Sequence, residues 1–523
     1  MPAPRTLLRS APAPMARPAP APAPVPAPVP TPAVSTALGT IGPAVLALLL
    51  GLWGITRENS MWRDEAATWE AAHRSLPDLA HMLDRIDVVH GVYYLFMHGV
   101  FTVFGDSLVA LRLPSVLAMA GAAAAVAEIG RRLAGPRAGV AAGIAFALVP
   151  STQHYAQDGR SYALVVAAVA VATLLLVTLV NDRGEPGTAA RRWVGYAAAM
   201  LVAALLNWFS LLALPAHAAT VLMAHRRGTA PLLTRWLTAA AAVVTGALPI
   251  VLISRSQSEQ IAWIRPLTWS TALAPLLVLA LGLLCAHLSR RCAGAAATPR
   301  TASAVPAVSV ASVGLPLLAF PVLALLLVSL AKPLYLDRYV LFANLGLGLL
   351  VGAATGALVR SWRPLTALVL AVFAALLPLQ LDLRSPQSRV DDVLAPAETV
   401  AGTTRPGDGV LFIPSLRRDT AVVSPGSFIG LDDLALAQSP TASGTLQGRE
   451  TAPAHIRRAM LGKHRILVVT DTEGHGDSGG ARDTVKRRVL VDHFTRCADT
   501  EVRGRRVQAY ERGRGCSAGP TGS

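Results

Sequence analysis

The chain has 523 residues, 53% of them hydrophobic and 15% charged, where a water-soluble protein carries about a quarter charged residues. Its formal net charge is +16, a value a nucleic-acid-binding protein also shows. Here, however, the arginines stand in short loops between apolar blocks, which is the positive-inside pattern of a membrane protein and argues against a nucleic-acid partner.

Residues 2 to 35 are Ala-Pro repeats with Arg5, Arg9 and Arg17. Proline at that density forbids a helix and predicts a disordered, extended cytoplasmic tail, residues 1–35. The uncharged block Thr36 to Thr56 follows. A secretory signal has a shorter apolar region and a small-residue cleavage site. The sequence after this block is Arg57-Glu58-Asn59-Ser60-Met61-Trp62, so the block is expected to remain as the first helix.

Uncharged blocks of about 20 residues recur at Ala138 to Gln157 and Ser161 to Asn181, the length that crosses a hydrocarbon core of about 30 Å. Five arginine loops lie between later blocks: Arg131/Arg132/Arg137, Arg183/Arg191/Arg192, Arg226/Arg227/Arg235, Arg290/Arg291/Arg300 and Arg360/Arg363. All five are expected to be cytoplasmic. The predicted spans are 38–56, 108–130, 138–154, 161–180, 193–208, 209–224, 236–253, 269–289, 309–330, 339–358 and 363–381. The fold class is thus an α-helical polytopic membrane protein of about eleven transmembrane helices, with the N-terminus inside and the C-terminus outside.

Val88 to Gly105 contains no Asp, Glu, Lys or Arg. If it spanned, all five arginine loops would lie outside. It carries His90, Tyr93, Tyr94 and His98 and is expected to lie as a helix on the outer surface, with Leu95, Phe96, Val100 and Phe104 toward acyl chains. The membrane domain is expected over 36–381, with a first outer loop at 57–107. From about Asp382, charges, Gly and Ser become common. Gly409 to Ile413, Arg465 to Thr470 and a run ending Val507-Gln508-Ala509-Tyr510 read as strands, predicting a small α/β extracytoplasmic domain over 382–523. Cys497 and Cys516 lie there, either bonded to one another or free. No cysteine pair among Cys285, Cys292, Cys497 and Cys516 has zinc-site spacing.

Two outer loops carry the candidate chemistry. The first begins Trp62-Arg63-Asp64-Glu65-Ala66, and the second reads Gln157-Asp158-Gly159-Arg160-Ser161-Tyr162. Adjacent carboxylates at a helix start are ordinary by themselves. Ionisable groups gathered at one membrane face suggest a site. Glycosylation of a hydroxyl needs a carboxylate base near the acceptor and cations for the leaving phosphate.

In order, Trp62-Arg63-Asp64-Glu65-Ala66, His90-Gly91-Val92-Tyr93-Tyr94, Phe104-Gly105-Asp106-Ser107, Leu111-Arg112-Leu113-Pro114-Ser115 and Gln157 to Leu164 resemble the GT-C glycosyltransferases of the glycosyltransferase family 39 type. That group includes protein O-mannosyltransferases and the lipid A aminoarabinose transferase, and the whole resembles its actinobacterial mannosyltransferase-like members. The resemblance implies Asp64 as catalytic base and Glu65 as its partner in substrate positioning. It implies Asp158 as a further acid in the Gln-Glu-Ala-Arg element, which appears as Gln157-Asp158-Gly159-Arg160. His90, Tyr93, Tyr94, Gln157, Arg160 and Tyr162 lie in these elements and are the candidate substrate contacts; the later run Asp337 to Phe342 also resembles the group and adds Arg338 and Tyr339 as candidates. The family's His-Pro-Pro-Leu-Tyr element lacks both prolines here.

Lys332, Tyr335, Arg338 and Tyr339 stand at the outer ends of two expected helices, and Gln260, Trp263 and Arg265 in another outer loop. An arginine there suits the carrier phosphate, and an interfacial snorkelling role is the bland alternative. His217, inside an apolar run, reads as a packed polar residue. No HExxH, P-loop, GxGxxG or GxSxG motif occurs.

The expected reaction is inverting transfer of a monosaccharide, mannose by resemblance, from a polyprenyl-phosphate sugar to a hydroxyl of a lipid, glycan or protein acceptor at the bilayer's outer face. No cofactor is required by the residues, and a divalent cation is left open. The rival readings are a transporter or flippase of lipid-linked sugars, which would show repeats and broken mid-membrane helices, and a non-catalytic scaffold.

Overall fold

The computed structural model describes residues 33–181, 186–226, 232–257, 263–295, 307–472, 480–513 and 515–516. Most of the Ala-Pro tail, the loop residues Arg183, Arg227 and Arg300, and Gln260 lie outside them. The membrane part runs α1 (Ala33–Leu52), α2 (Arg63–His73), α3 (Leu76–Leu83), α4 (Gly91–Phe104), α5 (Leu108–Ala134), α6 (Pro136–Leu148), α7 (Pro150–Ala156) and α8 (Tyr162–Asn181). It continues α9 (Pro186–Leu206), α10 (Ala213–His225), α11 (Leu232–Ser256), α12 (Trp269–Ala295), α13 (Val310–Ala331), α14 (Ala343–Leu358) and α15 (Trp362–Asp382).

Among the described residues, 8 helical segments are long and apolar enough to cross a membrane. The helices at Gly39–Leu52, Val88–Phe104, Pro136–Leu148 and Ala343–Leu358 are apolar but shorter; the first, third and fourth stand where spans are expected from the sequence. Two of these, α6 and α14, form the middle of the bundle, where they pack side by side with α5. Small residues permit that approach: a Cβ on Gly352 of α14 would lie 2.4 Å from Ala142 of α6, so the two backbones run almost in contact.

Two local corrections follow from proline and asparagine. The span expected over 138–154 divides into α6 and α7 at Val149, because Pro150 cannot donate to the preceding turn. The pair expected at 193–208 and 209–224 divides at Asn207, whose side chain accepts from the Phe209 amide and starts a 3-10 turn over Trp208–Leu212. The first of that pair also begins earlier, at Pro186. On α4, Leu95, Phe96 and Phe104 are exposed, as the expected acyl-facing stripe requires. Val100 is half-buried, and Tyr93 and Tyr94 are fully buried in the protein.

After α15, a linker leads through α16 (Leu394–Thr403) to β1 (Gly409–Ile413), α17 (Asp419–Val423), β2 (Asp432–Asp433), β3 (Leu436–Gln438), α18 (Pro440–Ser443) and β4 (Arg449–Glu450). The chain ends α19 (Pro453–Leu461), β5 (Arg465–Asp471), α20 (Ala481–His493), β6 (Phe494–Val502) and β7 (Arg505–Arg512). One sheet has the order β2-β1-β5-β7-β6. β1 is parallel to β2 and β5, while β7 is antiparallel to β5 and β6. The continuous apolar runs of β1 and β5 are buried on both faces, as central parallel strands require. The expected α/β domain is therefore present. Cys497 and Cys516 are disulfide-bonded, which ties the chain end to β6.

Candidate active site

The site is built around the first turn of α2. Between α1 and α2, Arg57, Glu58 and Asn59 all adopt positive φ, at 45°, 54° and 57°, a conformation that costs a non-glycine residue about 1–2 kcal/mol. Side chains from elsewhere hold this turn. Arg112, from the first turn of α5, donates to the Ile55 and Ser60 carbonyls at 2.6 Å each. Arg57 itself is fully buried and donates to the Gln157 carbonyl at 2.6 Å.

Both arginines meet on Glu65. Its carboxylate accepts from Arg57 Nη2 at 2.6 Å and from Arg112 Nε and Nη2 at 2.7 Å each. It also accepts the Gly159 amide at 3.0 Å and, more loosely, the Trp62 amide at 3.4 Å. Glu65, Arg57 and Arg112 each have no exposed side-chain surface. Burial alone would raise the Glu65 carboxyl, but Arg112 and then Arg57 outweigh it and hold it well below the usual carboxylate range. Glu65 thus joins α2, α5 and the loop after α7 from inside.

Asp64 points the other way. Its side chain is 22% exposed and pairs with Arg338 Nη1 at 3.1 Å. Arg338 follows α13 and lies over the rings of Tyr162 and Trp263, at 5.7 and 5.6 Å. Next to it, Tyr339 stacks on Phe209 at 4.5 Å. Asp337 accepts from the Tyr155 hydroxyl at 3.1 Å, so the 337–339 turn is held on α7. Lys332 and Arg265 are exposed, and Tyr335 is half-buried.

The second outer loop closes the site from below. Gln157 donates to the Gly51 and Trp53 carbonyls at 2.8 and 2.6 Å, which fixes the end of α1. Arg160 Nη1 contacts the Asp64 carbonyl, the Tyr94 hydroxyl and Thr68 Oγ1 at 3.2, 3.2 and 3.4 Å. Tyr94 in turn donates to Asp87. Burial, and then the Arg160 charge, lower His90 to about 3, so it stays a neutral imidazole beside Tyr94 and Tyr162.

Asp158 Oδ1 accepts from the Trp62 indole at 2.8 Å. Asp158 Oδ2 and the Tyr93 hydroxyl are buried without a hydrogen-bond partner among the described residues. Burial first, then the charge on Glu65, raise the Asp158 carboxyl. The structure therefore brings Asp64, Glu65, His90, Tyr93, Tyr94, Gln157, Asp158, Arg160, Tyr162, Arg338 and Tyr339 around one end of the bundle. Asp64 is the half-exposed carboxylate of the three acids, and Glu65 is committed to arginines.

Sequence reasoning gave no role to Arg57, Arg112 or Arg389. Arg112 had a signal, an ionisable residue one turn into an apolar span. Arg389 donates to His154, 2.7 Å to its carbonyl, and had none. His217 is packed between Thr173 and Tyr196, at 3.0 Å from each. Among the described residues no three His, Cys, Asp or Glu side chains converge as a metal site. A cavity of about 490 Å³ lies between Trp69, Ser107, Glu398 and Ser424, on the side where the sheet domain meets the first loop. Asn59 and Met61, just before α2, also line it, whereas Asp64, Glu65, Asp158, Arg160 and Arg338 do not.

Residues 91–253 match the family model described as dolichyl-phosphate-mannose-protein mannosyltransferase. That segment contains the Tyr93–Tyr94 and Gln157–Tyr162 elements and excludes Asp64, Glu65 and Arg338. Among solved structures, the chain resembles ArnT from Cupriavidus metallidurans in the apo state, with a TM-score of 0.56 at 13% identity. It also resembles the same protein bound to undecaprenyl phosphate, with a TM-score of 0.51 at 14% identity. Each comparison covers 91% of this chain and 98% of the other. No curated protein sequence matches. At these identities the likeness concerns the fold, which is the GT-C fold of membrane glycosyltransferases.

Proposed function

We propose that this GT-C membrane glycosyltransferase moves a monosaccharide, mannose by its matched segment, from a polyprenyl phosphate to an acceptor hydroxyl at the extracytoplasmic face. The observation that carries the reading is the division of labour between neighbouring carboxylates. Glu65 is locked between two buried arginines, while Asp64 is partly exposed and, among the described residues, ion-paired with Arg338.

In this reading Asp64 accepts the proton of the acceptor hydroxyl as its oxygen attacks the anomeric carbon. The bond from that carbon to the phosphate oxygen breaks, and the configuration inverts. Polyprenyl phosphate leaves as an anion. Arg338 and Arg160 supply positive charge at this point, and a guanidinium accommodates two phosphate oxygens at once. Tyr162, Tyr339, His90, Tyr93 and Tyr94 form the aromatic and neutral wall of the sugar site. Gln157 and Glu65 position, and Asp158 is a second acid beside them. The undecaprenyl phosphate bound to the structurally similar ArnT supports a polyprenyl carrier.

The outside placement of the sheet domain is supported by the arginine loops and by the Cys497–Cys516 disulfide, since disulfides persist in oxidising compartments. We assign residues 1–35 to a cytoplasmic tail, 36–381 to the membrane domain and 382–523 to the outer domain. A transporter is not favoured, because the ionisable groups gather at one end of the bundle and not at mid-membrane.

The test is release of polyprenyl phosphate from polyprenyl-phosphate mannose by the purified protein, paired with mass spectrometry of cell-envelope glycans from a deletion strain. The expected result is release by the protein and loss of one mannosylated species from the strain. Absence of both would sink the reading. Release from a different lipid-linked sugar would replace mannose and keep the mechanism.

A further inference from the structure

We propose that Asp391 and Asp392, in the linker between α15 and the sheet domain, are positioning residues for the transfer reaction. Their carboxylates hold the start of the helix that carries Asp64. The proposal rests on the reading in which Asp64 takes the acceptor proton.

A helix start leaves backbone N–H groups without intrahelical partners. Serine, threonine, aspartate or asparagine usually supplies the acceptor at that position. The residue there is Trp62, whose indole is a donor only. The acceptors come instead from the linker that follows the membrane domain. The Arg63 amide donates to Asp391 Oδ1 at 3.2 Å, and the Met61 amide donates to Asp392 Oδ1 at 3.0 Å. The Val393 amide returns a bond to the Met61 carbonyl at 2.7 Å. Asp64 is the next residue in the chain.

The second oxygen of each carboxylate is tied to the sheet domain. Asp392 Oδ2 accepts from Arg503 Nη1 at 3.1 Å, and the Asp392 amide donates to the Arg503 carbonyl at 3.0 Å. Asp391 Oδ2 accepts from the fully buried Arg505 at 3.0 Å, with Arg417 at 3.8 Å. Arg503 and Arg505 flank Gly504, which turns the β6–β7 hairpin at a φ of 82°. A Cβ there would stand 2.5 Å from the Val390 carbonyl, so the hairpin grips the linker backbone directly.

The sheet domain therefore reaches Asp64 through two residues. The β6–β7 hairpin holds Asp391 and Asp392, and these hold Met61 and Arg63. Glu65 fixes α2 from the inside, and the linker fixes its first turn from the outside. Asp64 sits between the two anchors. A displacement of about 1 Å at a reacting group is enough to cost about 10²-fold in rate, so a cap supplied across the domain boundary acts on turnover more than on substrate affinity.

The experiment uses the full-length protein in nanodiscs as wild type, Asp392→Ala and Asp392→Asn. Turnover of polyprenyl-phosphate mannose is measured together with hydrogen exchange of the peptide spanning residues 57–66. Asp392→Ala is expected to lower kcat by about 10- to 100-fold, with KM for the donor within about twofold. Exchange of that peptide should rise while peptides from α5 and α14 stay unchanged. Asp392→Asn keeps a carbonyl oxygen for the Met61 amide and should recover most of kcat. Unchanged kcat or unchanged exchange in Asp392→Ala overturns the proposal, as does an Asn variant no better than Ala. If Asp392→Ala does not reach the membrane, Arg503→Gln loosens the same carboxylate from its more exposed side and is judged by the same split. A wild type that turns over no lipid-linked sugar strikes the functional reading itself, and the exchange result then decides the positioning claim alone.

Discussion

Asp64 and Glu65 are neighbours in sequence and opposites in environment. Glu65 has no exposed surface and accepts from two arginines and two backbone amides. Asp64 is 22% exposed and, among the described residues, pairs with Arg338. In a helix, successive side chains point about 100° apart, so one turn delivers one carboxylate to the core and the other to a partly exposed position. A carboxylate that is fully satisfied is a poor base, because each of its lone pairs already has a donor. In the proposed reading the partly exposed one keeps room for a substrate hydroxyl. The Asp-Glu order thus separates a group that builds the site from the one the proposed mechanism uses.

The sharpest way to break this contrast is to remove the buried member. Glu65→Ala leaves Arg57 and Arg112 charged and buried without their counter-ion, a change that typically costs about 3–5 kcal/mol. It also frees the Gly159 amide and the positive-φ turn at 57–59. The expected outcome is loss of folded protein and of all transfer, read by detergent-extracted yield and thermal melting. A well-folded Glu65→Ala protein with intact melting would show that the clamp is not what holds the first loop.

Asp64→Asn tests the other member. The amide preserves shape but cannot accept the proton, so transfer should fall about 10²- to 10⁴-fold with melting unchanged. Turnover near wild type would remove Asp64 from the mechanism. Arg338→Ala takes away the cation that pairs with Asp64 and should have a smaller effect, about 10- to 100-fold on kcat/KM. Arg338→Lys should restore part of it, because lysine supplies charge without the planar fork. Equal loss in Lys and Ala would point to the stacking over Tyr162 and Trp263 as what matters.

How much of this was legible beforehand follows from range. The membrane class, the spans, the strand runs and the acidic loops are local patterns of hydropathy and charge, and each appears in the structure near its expected place. The breaks at Pro150 and Asn207 were also written locally, in a proline and in a capping side chain. What could not be read is pairing across the chain. Nothing near Glu65 in sequence says that Arg112 will reach it, and nothing near Asp64 says that Arg338 will. The charges of Asp391 and Asp392 registered only as a change in composition, since a carboxylate that caps a distant helix looks like any solvated acid until the fold brings the two together.

A third carboxylate on α2 sharpens the comparison by a smaller effect. Glu70 is mostly buried like Glu65, but it has one arginine, Arg74, bonded at 2.8 Å through Nε and 2.5 Å through Nη2. With two arginines the Glu65 carboxyl is lowered; with one, burial prevails and Glu70 is raised from its ordinary 4.5 to about 7. A carboxyl whose folded value is raised binds its proton more tightly folded than unfolded. Its contribution to stability is therefore complete below about pH 4.5 and is lost as pH rises through about 7. Glu70→Gln has no proton to lose, so its own contribution should not vary across that window. Melting of the two proteins in nanodiscs at about pH 5 and about pH 8 should show the wild type losing ground to Glu70→Gln at the higher pH. The opposite shift would mean that Arg74 outweighs burial at this position. It would also mean that a single arginine is enough to keep a buried carboxylate charged on this helix, so that the second arginine on Glu65 serves to join α5 to the first loop and is not needed for the charge.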